Sequence, residues 1–443
     1  MLNADLVREA HALIADRIGL DMPADRLGDV ESAIAAAAAA SSVDCAAYLG
    51  RLRMLPSDRA PWRRLASALT VGETYFFRDI AAFDALERYV LPELIAERRS
   101  QGALRLRIWS AGCATGEEPY SLAILLHRLL PDLAQWSLTI LGTDINATAI
   151  ETAERGFYRE WALRATPAEV RRRYFERRGG EFRLDPEIRG MVTFAPLNLV
   201  EPLYPDTVTN TTAMDLVLCR NVIMYFTPRA QREVVGRLAR ALTIRGWLAL
   251  SAAESSAESF SSLRFVAFPG AVFYRRDAGS PFRAAETERN PLREEGDSPR
   301  STGLGMTPPA PAIERPSLER ARALADAGRL DEARQICRTL LGTDRLNAAA
   351  HVLLAAIHQE LGDIGPAMEA LRAAIYLTPE SPAAHFLLGV LQLRQGDRPR
   401  GLRTLQTSID LLERMQTGAP LPDGGDLTAG RLKEMALAYL EER

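Results

Sequence analysis

The sequence predicts a multidomain protein with an all-α N-terminal domain, a central α/β domain and a C-terminal domain of helical repeats. Apolar residues recur at helical spacing over about the first ninety residues. Strands and helices alternate from residue 104 onward, and glycines recur every 34 residues near the C-terminal end. We place the domains at residues 1–90, 91–277 and 317–443, with a linker at 278–316.

Composition limits the function classes that are open to the chain. The sequence has 443 residues, of which 47% are hydrophobic and 25% are charged, as is typical of globular proteins that do not insert into a membrane. The net charge of −3 gives no reason to expect a nucleic acid partner. Charged residues interrupt the N-terminal segment where a signal peptide would need its apolar run, so we expect a cytoplasmic protein. The four cysteines have neither disulfide nor zinc spacing, and no metal is predicted.

The N-terminal domain carries a basic stretch after an alanine-rich segment. Residues 51–64 contain only one acidic residue, Asp58, and five arginines: Arg51, Arg53, Arg59, Arg63 and Arg64. Such a stretch is usually a solvated helix face. The alternative is a binding surface for an acidic helical substrate, and it depends on whether the chain proves to be an enzyme that acts on such a protein.

The central domain alternates between the two kinds of secondary structure. We predict helices at 117–130, 147–155 and 228–242. Strands are predicted at 104–110, 137–144, 192–195, 215–219, 246–252 and 271–274. This order is typical of a doubly wound, mostly parallel sheet, which binds its ligands at the carboxyl ends of the strands.

The C-terminal segment repeats with the tetratricopeptide period. Small residues recur 34 positions apart in two series: Gly328, Gly362 and Gly396, then Ala333, Ala367 and Gly401. Residues 426–443 would supply a capping helix. The preceding segment, 278–316, is rich in Gly, Ser, Pro and charge, as disordered linkers are. A repeat groove usually binds a helix or peptide of an as yet unknown partner protein; dimerisation or stabilisation is the alternative.

A turn of small residues follows the first predicted strand. Gly112, Ala114 and Gly116 alternate there, so that the backbone can approach a ligand closely. A loop of this kind alone is a weak signal, because nicotinamide-binding folds use a related one. Glu117 and Glu118 at the start of the next helix would repel a pyrophosphate, which favours a sulfonium cofactor.

Polar residues end the next two strands. Asp144 ends the second strand beside the same crevice, where a carboxylate can accept hydrogen bonds from both ribose hydroxyls of a nucleoside. The alternative is a helix N-cap for residue 147 onward. Asn198 and Leu199 follow the third strand, where an amide and a backbone N–H would border an adenine edge.

Three motifs together resemble the CheR-type chemoreceptor glutamate methyltransferases. They read TVGETYFFRD at 70–79, IWSAGCATGEEPYS at 108–121 and LCRNVIMYF at 218–226. The resemblance covers roughly residues 1–276. It implies a Rossmann-like methyltransferase domain with a small β-subdomain near 166–192, S-adenosylmethionine as cofactor, S-adenosylhomocysteine as product, and the cytoplasmic helices of chemoreceptors as partners. The repeat-bearing layout is similar to members of Wsp-type pathways.

The resemblance also implies roles for single residues. Thr74 and Arg78 would contact the methionine part of the cofactor, with Arg78 on its carboxylate, and Tyr225 would stand beside the reacting carboxylate. The other positions are implied to form the cofactor site: Gly72, Gly112, Gly116, Glu117, Glu118, Asp144, Asn198, Leu199, Asn221 and Val222. Many members have Asn where this chain has Gly72, so that one cofactor hydrogen bond is absent or replaced.

The expected chemistry needs few groups. A glutamate has an unperturbed pKa of about 4.3, so it arrives ionised and requires alignment with the methyl group rather than a general base. Two alternatives stay open: a methyltransferase with the same core but another substrate, and a cofactor-binding repeat scaffold without catalysis.

The β-subdomain bears on how receptors are found. Family members that bind a receptor tail peptide add it as a strand to this subdomain. Residues 177–184 offer one tight hairpin at Gly179 and Gly180, which is shorter than in those enzymes. The prediction is that no tail peptide is needed and that the basic stretch meets the acidic receptor helices directly.

Overall fold

The computed structural model describes residues 4–23, 26–55, 60–70, 72–251, 254, 263–277, 316–326, 329–421 and 428–441. Of the predicted linker at 278–316, only the last residue lies within these ranges. Arg59 and Gly328 also lie outside the described residues. The multidomain fold class is confirmed: N-terminal helices, a mixed sheet and C-terminal helical repeats follow one another along the chain.

Among the described residues, six α-helices form the N-terminal part: α1 (Ala4–Ile18), α2 (Leu27–Ala40), α3 (Cys45–Met54), α4 (Ala60–Leu69), α5 (Ile80–Ala85) and α6 (Leu91–Ser100), with a π-helical turn at Leu86–Val90. The Asp44 side chain caps α3 by accepting a hydrogen bond from the Ala47 N–H at 2.7 Å. Ile14, Ile34 and Trp62 are buried in one core with residues of the sheet. The helices therefore pack directly on the α/β domain.

No single helix among the described residues is long and apolar enough to cross a bilayer. Only α2 and α3 taken together meet that test of length and composition, and they are bent by 89° relative to one another.

Within the described part of the chain, seven strands form the central sheet: β1 (Arg105–Ala111), β2 (Ser137–Asp144), β6 (Val192–Pro196), β7 (Met214–Leu218), β8 (Leu242–Ala249), β9 (Arg264–Phe268) and β10 (Ala271–Arg275). Their order across the sheet is β6-β2-β1-β7-β8-β10-β9. The first five in this order are parallel, and β10 pairs antiparallel with β8 and β9. The chain moves outward from β1 to β2 and β6, then returns to β7, so the ligand crevice is expected between β1 and β7.

The helices of the sheet domain are α7 (Glu117–Leu129), α8 (Ala147–Arg155), α9 (Ala168–Tyr174), α10 (Pro186–Gly190) and α11 (Pro228–Ala241). The strand predicted at 246–252 begins four residues earlier and ends at Ala249. The prediction did not include β9, which has exposed residues at alternate and adjacent positions and so lacks a clear apolar period.

A small antiparallel sheet of three strands forms the β-subdomain, in the order β3 (Phe157–Tyr158), β5 (Glu181–Leu184) and β4 (Phe175–Arg178). Gly179 and Gly180 form the turn between β4 and β5, where Arg178 pairs with Glu181. The subdomain begins before residue 166, because β3 pairs with β5. The Tyr158 hydroxyl donates to the Thr115 carbonyl at 2.9 Å, which joins β3 to the turn after β1.

The C-terminal helices are α12 (Leu318–Asp326), α13 (Leu330–Thr343), α14 (Ala348–Glu360), α15 (Ile364–Leu377), α16 (Pro382–Arg394), α17 (Arg398–Leu412) and α18 (Ala429–Glu441). Gly362 and Gly396 lie in the turns of the second and third helix pairs, with φ of +81° and +82°. Glycine is favoured there because it has no Cβ to crowd this conformation. α18 follows the last pair, where the capping helix was predicted.

A buried arginine joins the repeats to the sheet. Arg107 lies near the start of β1 and is 2% exposed. Its guanidinium donates hydrogen bonds to the carbonyl oxygens of Glu360 at 3.0 Å, Asn210 at 3.0 Å and Thr212 at 3.2 Å. A buried guanidinium needs such partners, since losing them leaves charged donors without a hydrogen bond. The sequence predicts a linker but not this docking.

The turn after α14 completes the docking. The Ser137 hydroxyl, at the start of β2, donates to the Leu361 carbonyl at 3.3 Å. A Cβ built on Gly362 would overlap the Ser137 hydroxyl and lie 2.9 Å from its Cβ. Arg105 on β1 also pairs with Asp331 on α13 at 3.4 Å. The repeats therefore rest on the amino-terminal ends of β1 and β2.

Gly362→Ala should lower the free energy of unfolding more than Gly396→Ala does. Both positions have positive φ, so each alanine carries a backbone cost of about 1 kcal/mol. Only the Cβ at 362 meets another residue, whereas nothing lies within 4 Å of one at 396. Overpacking at 362 should add about 1–3 kcal/mol. Denaturant unfolding of both variants measures the difference, and equal losses would contradict the docked arrangement.

Candidate functional site

A cavity of about 530 Å³ opens at the carboxyl ends of β1, β2, β6 and β7. Most of the predicted cofactor and catalytic positions line it: Gly72, Thr74, Arg78, Gly112, Glu118, Asp144, Asn198, Leu199, Asn221, Val222 and Tyr225. The three sequence motifs, which lie far apart along the chain, therefore meet around one space. Parallel strands bring the second and third motifs together because their carboxyl ends share one edge. The first motif follows no strand and is joined to the third through hydrogen bonds from Arg220 to Arg78 and Asp79.

The turn after β1 approaches the turn after β7 closely. Gly112 has a φ of +81°, and a Cβ on it would overlap the Val222 side chain. Any larger residue would push the two turns apart. Ala114, two residues later, donates its N–H to Asp144 Oδ2 at 2.8 Å. This bond holds the small-residue turn against the end of β2.

Asp144 is fixed by backbone donors on both oxygens. Its Oδ1 accepts from the Asn146 N–H at 2.8 Å. Burial raises the pKa of Asp144, and the hydrogen bonds to backbone N–H groups oppose that shift. The helix N-cap that was the alternative for Asp144 belongs to Asn146, whose side chain accepts from the Ala149 N–H. Asp144 thus remains as a carboxylate in the cavity wall.

A buried ion pair that the sequence analysis missed lies in the wall of the cavity. The Arg220 side chain is 2% exposed, and its guanidinium contacts Asp79 at 2.8 Å and Glu118 at 3.2 Å. It also donates to the Arg78 carbonyl at 3.1 Å. Burial raises the pKa of Glu118, whereas Arg220 lowers it. The position of Arg220 inside the third motif was the available signal, but nothing in the sequence indicated its partners.

Glu254 was also missed. Its buried carboxylate accepts backbone N–H bonds from Asn221 at 2.9 Å, Val222 at 2.6 Å and Met224 at 3.3 Å. It further accepts from both the N–H and the hydroxyl of Ser251. Asn221 adopts a φ of +59°, which is uncommon for a residue other than glycine. Glu254 therefore holds the turn that carries Asn221 and Val222, and an isolated glutamate gave no sequence signal for this.

The N-terminal part closes one side of the cavity. The Asp21 N–H donates to the Tyr225 carbonyl, and the Thr227 N–H to the Gly19 carbonyl, both at 2.8 Å. Asn198 donates its side-chain amide to the Arg17 carbonyl at 2.9 Å, and its side-chain oxygen accepts from Val200 at 3.1 Å. The Asn198 side chain therefore ties the end of α1 to the sheet.

Gly116 and Glu117, also predicted to lie at the cofactor, do not line the cavity. A Cβ on Gly116 would stand 2.7 Å from the Ala153 Cβ, so the glycine is needed for packing of α7 on α8. The Glu117 carboxylate is turned inward and accepts from the Thr115 hydroxyl at 2.6 Å. Burial raises the pKa of Glu117 to about 7.

The basic stretch lies outside the cavity. Arg51 and Arg53 are exposed on α3, and Arg53 pairs with Glu9. Arg63 is half-buried and Arg64 exposed on α4, while Arg59 belongs to the residues that are not described. None of the four described arginines is among the residues that line the cavity.

Comparisons with known proteins identify the family to which the chain belongs. Residues 72–268 match the family model "CheR methyltransferase, SAM binding domain", and residues 324–391 match "Tetratricopeptide repeat". A probable biofilm formation methyltransferase, WspC, of Pseudomonas putida is 30% identical over 89% of this chain and 95% of its own. Chemotaxis protein methyltransferase 1 of Pseudomonas aeruginosa is 36% identical over 47% of this chain and 75% of its own. An uncharacterised 104.1 kDa protein of Rhodobacter capsulatus is 37% identical over 46% of this chain, which spans 21% of that longer protein.

Glu254→Gln should destabilise the protein by about 1–3 kcal/mol, because the new amide would face backbone N–H donors that now meet a carboxylate. Glu176→Gln is the matched control, since Glu176 is 59% exposed in an ion pair with the equally exposed Arg178 and should change stability by less than about 0.5 kcal/mol. Denaturant unfolding measures both. The assignment fails if the two variants lose the same stability.

Proposed function

The chain belongs to the CheR family of S-adenosylmethionine-dependent methyltransferases, and from that premise we propose that it methylates glutamate side chains of chemoreceptors. The products would be glutamate methyl esters and S-adenosylhomocysteine. The observation that carries the proposal is the meeting of all three motifs around one cavity of about 530 Å³. The reaction would take place on the cytoplasmic part of the receptors.

The residues that line the cavity fit the cofactor. The carboxylate of Asp144 suits the two ribose hydroxyls, and the Arg78 guanidinium suits the carboxylate of the methionine part. The backbone at Gly112 has no Cβ and lets a ligand approach closely. We propose that Leu199 and the chain around it border the adenine, because the side-chain amide and oxygen of Asn198 already bond to Arg17 and Val200.

At Gly72 the cavity wall leaves unfilled space next to the proposed cofactor site. Nothing lies within 4 Å of a Cβ built there, so a larger side chain such as the Asn of many members would have room. In this chain we propose that a water molecule or a backbone group takes the place of that side chain. The remaining contacts of the methionine part would then fall to Thr74 and Arg78.

The chain's own residues would mainly bind and orient. S-adenosylmethionine supplies an electrophilic methyl group. A glutamate with a pKa of about 4.3 is already an anion, so no residue has to remove a proton. We propose that Tyr225 and the turn after β7 hold the glutamate carboxylate in line with the methyl group. Alignment of this kind contributes several kcal/mol to catalysis.

Two alternative functions would use the same cavity. One is methylation of a different carboxylate, and the other is cofactor binding without catalysis. The test is to incubate the purified protein with methyl-labelled cofactor and, in separate reactions, with cytoplasmic fragments of receptors or with other carboxylate-bearing proteins. Base-labile label on receptor glutamates supports the proposal. Label on another protein favours the first alternative, and cofactor binding without any transfer favours the second.

Tyr225→Phe should lower kcat by about tenfold or more and leave the Kd for S-adenosylhomocysteine within about threefold. The expected cause is the loss of a hydroxyl that orients the reacting groups, while the ring still lines the cavity. Single-turnover methylation and calorimetric titration measure the two effects. Equal turnover in the variant and the wild type would remove Tyr225 from the catalytic residues.

Receptor recognition is proposed to depend on charge rather than on a receptor tail. Deleting the receptor's C-terminal tail should leave methylation unchanged, because β4 offers only four residues as an edge strand. Arg63→Glu with Arg64→Glu should weaken methylation several-fold at low salt and less at high salt. The control is Arg338→Glu with Arg345→Glu, which makes the same charge change on exposed residues of the repeats. Loss on tail deletion, with no effect of the charge reversals, would refute this mode of recognition.

A further inference from the structure

An exposed tryptophan stands beside the cavity. Trp161 lies in the 3-10 turn Glu160–Leu163 and is 65% exposed, although tryptophan is among the side chains that gain most from burial. The turn is firmly placed, because the Phe76 N–H donates to the Ala162 carbonyl at 2.9 Å. The Trp161 side chain is therefore exposed on a part of the surface that is held in place by a backbone hydrogen bond.

Arg164 connects this tryptophan to the first sequence motif. The carbon at the centre of its guanidinium lies 3.6 Å from the centre of the Tyr75 ring and 4.2 Å from that of Trp161. The guanidinium also donates to the Trp161 carbonyl at 2.8 Å and pairs with Glu73 at 3.3 Å. One side chain thus locks the two aromatic rings together through cation–π contacts.

The resulting surface is continuous with the cavity. Glu73 and Thr74 line the cavity, and Tyr75 follows them directly in the chain. Arg78, which also lines the cavity, has its guanidinium 5.9 Å from the centre of the Tyr75 ring. We call Glu73, Tyr75, Trp161 and Arg164 the rim surface. It begins at the cavity and ends at exposed tryptophan.

We propose that the rim surface binds the glutamate-bearing helix of the substrate protein next to the glutamate that is methylated. This inference rests on the proposed function. On a helix, residues three or four apart lie on one face, about 5.4 Å apart along the axis. An apolar residue on the same face of that helix, one or more turns away from the target glutamate, would pack on Trp161 while the glutamate carboxylate enters the cavity.

Position favours the helix that carries the target glutamate as the occupant. The rim surface adjoins the cavity, so the chain next to a glutamate that enters the cavity passes over it. The two charges of the rim surface, Arg164 and Glu73, pair at 3.3 Å and offset one another, so the contact with Trp161 is expected to be largely apolar. Tryptophan is also enriched among the residues that dominate binding energy at protein interfaces. The basic stretch on α3 and α4 would attract the substrate over distance, and the rim would hold it.

Trp161→Ala tests the proposal with receptor fragments as substrate. We expect KM for the fragment to rise about tenfold, with kcat and the Kd for S-adenosylhomocysteine within twofold. Trp161→Phe should recover most of the affinity, because a ring is retained. The matched control is Tyr376→Ala, which removes an 86% exposed aromatic side chain from α15 and should change nothing. The KM effect should persist at high salt, unlike that of the arginine reversals.

A photo-crosslinking amino acid at position 161 gives a second readout. It should crosslink to the methylated helix of the fragment, and the same group at position 376 should not. If the wild type methylates the fragment and Trp161→Ala does so with unchanged KM, the rim surface is wrong and the proposed function stands. If the wild type methylates no receptor fragment, the proposed function is wrong and the rim surface falls with it.

Discussion

The close approach of Gly112 to Val222 is the contact on which the cavity depends. It joins the turns after β1 and β7, at the place where the chain reverses its order across the sheet. A side chain at Gly112 would separate those turns, and the hydrogen bond from Ala114 to Asp144 would lose its geometry. Glu254 supports the opposite wall through the backbone of Val222. One glycine and one buried carboxylate thus hold the ends of β1, β2 and β7 close together around the cavity.

Charge burial explains why this wall is costly and why it persists. Arg220 and Glu118 are both removed from water, and removing one partner from such a pair leaves an uncompensated charge. Asp79 and the Arg78 carbonyl also accept hydrogen bonds from Arg220. The same guanidinium donates a hydrogen bond to the backbone carbonyl of Arg78. It therefore fixes the position of the Arg78 backbone beside the cavity. The buried charges therefore help to place the residues around the cavity.

Local patterns in the sequence predicted most of the architecture. The bounds of β2 and α8 follow directly from apolar periodicity, and the 34-residue spacing identified the repeats. Side-chain partners far apart in the chain were not accessible in this way. Nothing local indicates that Glu254 bonds to the turn after β7 or that Arg107 receives the end of α14. Such contacts arise only when distant elements fold together, so the sequence could identify the cavity but not its supports.

The docking of the repeats against the sheet has a structural consequence that does not depend on a partner protein. β6 forms one edge of the sheet, and an open edge is a site for unwanted strand pairing. Residues of β6 face α16 and α18 across a cleft of about 700 Å³, so the repeats shield that edge without filling the space. Phe386 and Tyr439 line the repeat side of the cleft, and Glu154 with Arg398 adds charge to it. Protection of the sheet edge and capture of a peptide therefore place different demands on one surface: the first needs only proximity, whereas the second needs the cleft to stay open.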